Sequence, residues 1–334
     1  MLPVIYGLSA PTLTDAERGF FREADPLGYI LFGRNVVDRR QLRALTDALR
    51  DLSGRDDLPV LIDQEGGPVA RMRPPEWPEF PAGTAFDRLY DRAPSSAIAA
   101  ARANGAALGA MLADVGITVD CHPILDVAVE SATPAVASRV FGREPLRVAA
   151  LGRATLEGLA DAGVVGVIKH MPGHGRAVVD SHHELPRVAA SADALEADIA
   201  PFRTLAARAT MGMTAHVVYD VWDADRPATL SPSVIRDVIR GAIAFDGLLM
   251  TDDIDMKALS GPAGDKAAAA IAAGCDVVLD CWARMDEMQQ IAGRLSGIAP
   301  ESRARLDRAM AARNAGAIDL AESLATRDAL LALT

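Results

Sequence analysis

The stretch "VVGVIKH", residues 164–170, is a short apolar run that ends in two polar residues. Seven further runs, also short and rich in Val, Ile and Leu, recur along the chain: "PVIYGLS" (3–9), "GYILF" (28–32), "PVLIDQE" (59–65), "ITVDCHP" (117–123), "TMGMTAHVVY" (210–219), "LLMTDD" (248–253) and "DVVLDC" (276–281). Nearly continuous apolar character is what parallel strands require when helices cover both faces of the sheet. The sequence therefore predicts eight parallel strands.

The segments between these runs carry helix signals. Thr14 followed by Glu17 predicts a capping box, and Ser191 with the acidic residues after it predicts another helix start. Ser231 precedes Pro232, a typical cap followed by a proline in the first turn. The pattern over 191–209 is helical, but Pro201 is expected to bend or split that helix.

Alternating strands and helices fit either a barrel or a doubly wound sheet, and the polar residues at the strand ends favour the barrel. Six such residues follow different strands: Asp63, Asp120, Lys169, His216, Asp252 and Asp280. Barrel strands bring their carboxyl ends to one mouth, where active sites are found, whereas an open sheet spreads them along an edge. We predict an α/β fold, a (β/α)8 TIM-type barrel, regular or irregular, forming a single catalytic domain over residues 1–334.

Composition excludes some partners. The net charge of −11 disfavours nucleic acid, whose phosphates attract a basic face. Three cysteines do not indicate a disulfide framework, the N-terminus has no basic region of a signal peptide, and no window resembles a membrane span. We expect a cytoplasmic protein without a membrane partner. The sequence says nothing about oligomeric state.

Four of the six histidines lie within residues 168–186, "IKHMPGHGRAVVDSHHELP". His170 and His174 have the i, i+4 spacing of a zinc-binding helix, but the intervening Pro172 and Gly173 break a helix, so we expect neither metal nor cofactor. Asp180 precedes His182 by two residues, close enough for the carboxylate to orient the imidazole and raise its basicity. By itself, this pattern is a weak signal.

Carboxylates and arginines near other strand ends add to the candidate site. Asp252 and Asp253 follow one strand; one of them can cap the next helix, which leaves Asp252 to act as a nucleophile or to stabilise a cation. Asp63, Arg71 and Arg139 supply acceptors and donors for a ligand rich in hydroxyl groups. A small carbohydrate is the expected ligand.

Several of these segments, in this order, resemble glycoside hydrolase family 3, specifically its short bacterial β-N-acetylglucosaminidases. They are "GYILFGRN", "IDQEGGPVARMR", "HPILDV", "SRVFGREP", "KHMPGHG", "DSH", "MTAHVVYD", "MTDDIDM" and "AGCDVVL". The resemblance implies that Asp252 is the nucleophile and that His182, oriented by Asp180, is the general acid/base. It implies that the sugar is held by Asp63, Arg71, Arg139, Lys169 and His170. His174 is expected to be structural, His183 has no implied role, and Asp255 departs from the small polar residue frequent in the family.

The same resemblance implies a retaining exo-β-N-acetylglucosaminidase. Its expected substrates are peptidoglycan fragments, GlcNAc joined to anhydroMurNAc with or without peptide, in cell-wall recycling. Two alternatives from the same family are a β-glucosidase and a phosphorylase that uses phosphate in place of water. Two alternatives from other classes are a metal-dependent barrel hydrolase and a non-catalytic sugar-binding protein.

Overall fold

The computed structural model describes residues 1–130, 132–181, 183–313 and 316–333. Eight parallel strands close into a barrel in chain order, and the other three form a small separate sheet. The strands are β1 Leu2–Gly7, β2 Pro26–Leu31, β3 Val60–Ile62, β4 Val119–Asp120, β5 Val165–Met171, β6 Arg187–Val188, β7 Met211–Thr214, β8 Val218–Tyr219, β9 Asp223–Pro227, β10 Leu248–Asp253 and β11 Val277–Asp280. Each of the eight predicted runs overlaps one barrel strand, and the predicted TIM-type barrel is confirmed.

Helices surround the barrel. They are α1 Asp15–Ala24, α2 Arg39–Ser53, α3 Gly83–Arg92, α4 Pro94–Asp114, α5 Pro134–Ala137, α6 Pro145–Asp161, α7 Ala192–Leu205, α8 Ala263–Ala273, α9 Met285–Arg294, α10 Pro300–Ala311 and α11 Leu320–Leu331, with a π-helix at Val234–Ala242 and 3-10 turns at Gly33–Asn35 and Ala228–Leu230. In the described part of the chain, none is both long and apolar enough to cross a lipid bilayer.

The predicted helix starts are present. The Glu17 amide donates to the Thr14 hydroxyl at 3.2 Å and the Glu17 carboxylate accepts from the Thr14 amide at 2.9 Å, which completes the capping box. Ser191 caps α7, and the Ser231 hydroxyl accepts from the amide of Val234. Pro201 does not split α7, which runs through it without a break. Proline removes one backbone hydrogen bond there, but this part of the helix is packed into the core through Ile199, Phe202 and Leu205.

The sequence predicts a single strand in the run 210–219, but the structure has two strands there. Its first half forms β7 of the barrel, whereas Val218 and Tyr219 form β8 and pair with β6 and β9 in the small sheet. Apolar character alone cannot show which sheet a strand joins. The small sheet matters for the site, because β6 ends the loop that follows β5, residues 172–186.

The core has two layers. Apolar side chains such as Ile5, Val167 and Met250 form one cluster with members from all eight barrel strands, and a larger cluster lies between the strands and the helices. All three cysteines are buried and free. Polar strand-end residues are thereby left at the carboxyl mouth of the barrel.

Candidate active site

A cavity of about 660 Å³ lies at the carboxyl ends of the barrel strands. Its size is within the range of about 300–1,000 Å³ that is typical of ligand sites. Six of the eight predicted site residues line it: Asp63, Arg71, Arg139, Lys169, His170 and Asp252. They come from distant parts of the chain, and the closed barrel brings them together.

One wall of the cavity is a network of paired charges. Lys169 Nζ lies 2.9 Å from Asp63 Oδ1 and 2.7 Å from Glu65 Oε1. Arg139 donates two hydrogen bonds to Glu65, at 2.8 and 2.6 Å, and Arg71 Nη2 lies 3.4 Å from Asp63 Oδ2. Three cations and two carboxylates therefore hold one another in place. Four of these five side chains also line the cavity, where a ligand can form hydrogen bonds with them: Asp63, Arg71, Arg139 and Lys169.

Electrostatics keep Lys169 and Glu65 ionised although both are buried. Burial opposes the charge on Lys169, but Asp63 and Glu65 outweigh it and raise the lysine pKa above its usual range. Burial likewise opposes the charge on Glu65, but Lys169 and Arg139 hold the pKa of this carboxyl below its usual range. Each charge in the network thus depends on its partners.

Asp252 lies at the end of β10 and faces His170. The Nε2 atom of His170 is 3.9 Å from Asp252 Oδ2, and its Nδ1 atom is 2.7 Å from Asp126 Oδ2. Burial opposes ionisation of Asp252, but the imidazoles of His170 and His216 outweigh it, so its pKa lies below its ordinary value. The site therefore contains a partly exposed carboxylate that stays charged near neutral pH.

The adjacent Asp253 has a structural task. Its Oδ1 atom accepts hydrogen bonds from the backbone amides of Asp255 and Cys281, both at 3.2 Å. Its own amide donates to Asp252 Oδ1 at 2.8 Å, which orients the neighbouring carboxylate. Burial raises the pKa of Asp253 to about 6. Both acids line the cavity, but Asp253 accepts hydrogen bonds from two backbone amides, whereas Asp252 faces His170.

The predicted acid/base, His182, lies outside the described residues. Its neighbours lie at the same mouth as Asp252: His183 lines the cavity. The carbonyl of Ser181 accepts a hydrogen bond from the amide of Ala258 at 3.2 Å, six residues after Asp252. Asp180 is half-buried, and its carbonyl accepts from the amide of His183 at 2.9 Å.

Comparison with known proteins agrees with this geometry. The N-terminal domain of glycosyl hydrolase family 3 matches residues 18–312. The chain belongs to glycosyl hydrolase family 3. Two β-hexosaminidases, from Alkalilimnicola ehrlichii and Aromatoleum aromaticum, are each 40% identical to it, covering 84% and 91% of this chain and 80% and 86% of their own lengths.

A solved structure shows the same fold. NagZ from Neisseria gonorrhoeae, in complex with N-trifluoroacetyl-D-glucosamine, superimposes with a TM-score of 0.88 at 30% identity, over 99% of this chain and 97% of its own. The family 3 chain is therefore an enzyme, a glycoside hydrolase of the β-hexosaminidase kind. This finding sets aside the alternative of a non-catalytic sugar-binding protein.

Sequence reasoning missed two buried carboxylates of this family 3 site. Glu65 joins Lys169 to Arg139, and Asp126 accepts from the amides of both His170 and His174, at 3.2 and 2.7 Å. Glu65 could have been found, because a residue two positions after Asp63 in an extended segment returns to the same side. Asp126 stands in an apolar loop with no such pattern.

Other residues of the stretch 168–186 have lesser parts in the geometry. His174 is buried, and burial, with the nearby His170, lowers its pKa to about 4, so it is neutral at physiological pH. The rings of His170 and His174 meet edge to face, with centroids 5.7 Å apart. Within the described ranges, which omit His182, no group of three His, Cys, Asp or Glu side chains is placed to hold a metal.

Asp255, which departs from the family pattern, is balanced by cations. It forms an ion pair with Arg284, and Lys266 Nζ lies 3.9 Å from its other oxygen. These two cations therefore offset the extra negative charge and reduce its repulsion of the Asp252 carboxylate.

Proposed function

We propose that this enzyme is a retaining exo-β-N-acetylglucosaminidase that removes the non-reducing terminal GlcNAc from peptidoglycan fragments. The single observation that carries the proposal is the position of Asp252, an ionised carboxylate across one cavity from a clamp of paired charges. The proposed substrates are GlcNAc–anhydroMurNAc and its peptide derivatives, in a cytoplasmic recycling route. Residues 1–334 would act as one catalytic domain.

The clamp suits the terminal sugar. Each of Asp63, Glu65, Lys169, Arg71 and Arg139 lies against an opposite charge of the same set, so the net charge of the clamp is one positive rather than three and its pull on a charged ligand is reduced. Sugar hydroxyl groups, in contrast, can donate to the carboxylates and accept from the ammonium and guanidinium groups. A neutral sugar is the ligand that uses both.

This placement supports a double-displacement reaction. Asp252 attacks the anomeric carbon while the acid/base protonates the leaving oxygen, which forms a covalent glycosyl-enzyme. The acid/base then removes a proton from water, and water attack releases the sugar with its configuration retained. We assign the acid/base role to His182, oriented by Asp180, on the strength of the family resemblance. The lowered pKa of Asp252 supports its role as nucleophile because the attacking form is the carboxylate.

Covalent trapping tests the nucleophile. Incubation with a slow 5-fluoro analogue of GlcNAc, followed by proteolysis and mass spectrometry, should place the adduct on the peptide that contains Asp252, and the variant Asp252→Asn should give none. Strong inhibition by a thiazoline analogue, with no adduct, would contradict this step and indicate attack by the acetamido group of the substrate.

Product and substrate analysis tests the reaction class. With and without phosphate, the expected product is free GlcNAc, and a sugar 1-phosphate as main product would make the enzyme a phosphorylase. Among 4-nitrophenyl glycosides, the N-acetyl-β-glucosaminide should be preferred over the β-glucoside, β-xyloside and N-acetyl-β-galactosaminide. Preference for the glucoside would instead indicate a β-glucosidase.

A further inference from the structure

The chain has only three lysines, Lys169, Lys257 and Lys266. Lys169 and Lys266 are buried and lie beside carboxylates. Lys257 is exposed, lines the active-site cavity and has no hydrogen bond or ion pair within the described residues. An unpaired ammonium at the rim of a cavity is available to a ligand.

Trp282 lies on the same rim. All three tryptophans are in the described part of the chain; Trp77 is buried, Trp222 is half-buried, and Trp282 is 58% exposed while lining the cavity. Exposing a large aromatic side chain to water is unfavourable, and exposed apolar surface beside a cavity commonly marks a binding site. The indole presents a flat apolar face to a ligand that extends out of the cavity.

Charge is distributed unevenly between the inner clamp and this rim. The inner cations are paired with Asp63 and Glu65. At the rim, Arg284 is paired with Asp255 and Glu287, whereas the exposed Lys257 forms no ion pair with any residue that the structure describes. Because the chain as a whole carries −11, an anionic ligand would be repelled unless a local cation met it.

We propose that Trp282 and Lys257 form a subsite for the leaving half of the substrate, in which the indole supports a sugar ring and the ammonium binds a carboxylate attached to it. This subsite rests on the proposed function, since it places the terminal sugar in the clamp and the leaving group at the rim. It would give an acidic leaving group a local positive partner on a chain whose net charge of −11 otherwise repels anions.

The test compares three disaccharide substrates. N,N′-diacetylchitobiose has a neutral leaving sugar, GlcNAc-β-1,4-MurNAc has a carboxylate on the leaving sugar, and the same disaccharide extended by L-Ala-D-Glu has its carboxylates on the peptide. We expect Lys257→Met to lower kcat/KM for an acidic substrate, relative to chitobiose, by about three- to tenfold. The preference of the unmodified enzyme should also weaken with added salt, and that of the variant should not.

Arg88→Met is the matched control, since it removes one positive charge from an exposed residue of α3 outside the cavity. This variant should leave kcat/KM unchanged for all three substrates. If Lys257→Met lowers kcat/KM relative to chitobiose for GlcNAc-β-1,4-MurNAc, the bound carboxylate is the one on the sugar. If it lowers this ratio for the peptide derivative alone, the bound carboxylate is on the peptide. Unchanged ratios for both overturn the subsite while leaving the proposed function intact, whereas failure to cleave any of the three overturns both.

The indole is tested separately. Trp282→Ala should lower kcat/KM about tenfold for both sugar leaving groups, and Trp282→Phe should restore most of it, because a smaller ring still offers a flat face. Equal kcat/KM for the unmodified enzyme and the alanine variant would overturn the role of Trp282. Since this side chain is exposed, thermal melting should confirm that both variants are folded.

Discussion

Asp126 holds the ring of His170 through a 2.7 Å contact between Oδ2 and Nδ1, and the other ring nitrogen faces Asp252. The contact commits Nδ1 as the donor, which fixes the tautomer and turns Nε2 towards the cavity. Burial opposes the charge on Asp126, but His170 outweighs it and keeps the pKa of this carboxyl below its usual value. We infer that Asp126 positions His170 for the proposed sugar ligand.

Replacing Asp126 by Asn should lower kcat/KM on 4-nitrophenyl N-acetyl-β-glucosaminide by about 10- to 100-fold, as loss of an orienting carboxylate behind a functional histidine does elsewhere. The amide oxygen can still accept from the backbone amides of His170 and His174, so the fold should survive. Asp276→Asn, at a buried carboxylate before β11 that binds Arg240, is the control. Equal losses of activity in the two variants would argue against a positioning role.

Glu65 supports the clamp, and its removal should cost stability. Glu65→Gln leaves the buried Lys169 and the partly buried Arg139 with too little negative charge nearby, which we expect to lower the free energy of unfolding by about 3–5 kcal/mol. Urea denaturation measures this change in the free energy of unfolding. Asp87→Asn breaks a more exposed pair with Arg147 and should cost about 1 kcal/mol or less. Similar losses in both variants would contradict the interdependence of the buried charges.

How far the sequence predicts this molecule can be seen in particular residues. The eight barrel strands follow from apolar runs, and Asp63, Lys169 and Asp252 were found because each ends such a run. Asp126 was missed because it acts on side chains distant in the chain and no local pattern encodes those contacts, whereas the spacing of two residues after Asp63 was an unused local signal for Glu65. The run 210–219 was misjudged for the same reason: strand partners are set by tertiary packing.

The loop after β5 is tied to α7 by an ion pair. Arg176 Nε lies 2.7 Å from Asp198 Oδ2, and a second guanidinium nitrogen donates to the carbonyl of Ala194 at 2.9 Å. Burial raises the pKa of Asp198 to about 6 even though Arg176 favours the charged form. Because Asp180 lies four residues after Arg176 in the chain, this ion pair is placed to fix the segment that leads to Asp180.

We expect Arg176→Met to lower kcat about tenfold, since a small displacement of catalytic groups has large effects on rate, and to lower the melting temperature by leaving Asp198 buried without its partner. In the double variant with Asp198→Asn, the melting temperature should recover while kcat stays low. Recovery of both together would show that the pair contributes only stability. Arg176→Lys should keep part of kcat, because the lysine ammonium still pairs with Asp198 as a point charge.

Asp280, at the end of β11, predicts a pH dependence of stability. It is 1% exposed, and neither carboxylate oxygen has a hydrogen-bond partner within the described residues. Burial raises its pKa to about 7 from its usual value of 3.8, with help from the negative charges of Asp253, Glu287 and Asp255 and against Arg284. The folded protein therefore binds this proton more tightly than the unfolded chain does.

The sign follows from that difference. Near pH 4 and below, Asp280 is protonated in both the folded and the unfolded chain, so it has little effect on the free energy of unfolding. Between about pH 4 and 7 only the folded chain keeps this proton, and the free energy of unfolding falls as pH rises. Above pH 7 Asp280 is charged in the fold as well, and the full destabilisation by the buried charge is present. Asp280→Asn removes the charge but keeps an amide without partners, so we expect a gain of about 1–3 kcal/mol at pH 8 and almost none at pH 4. Asp265→Asn, at an exposed carboxylate, should change little at either pH. Thermal melts across this range measure the difference, and a variant equally destabilised at both pH values would show that the Asp280 carboxylate stabilises the barrel through contacts unrelated to its protonation.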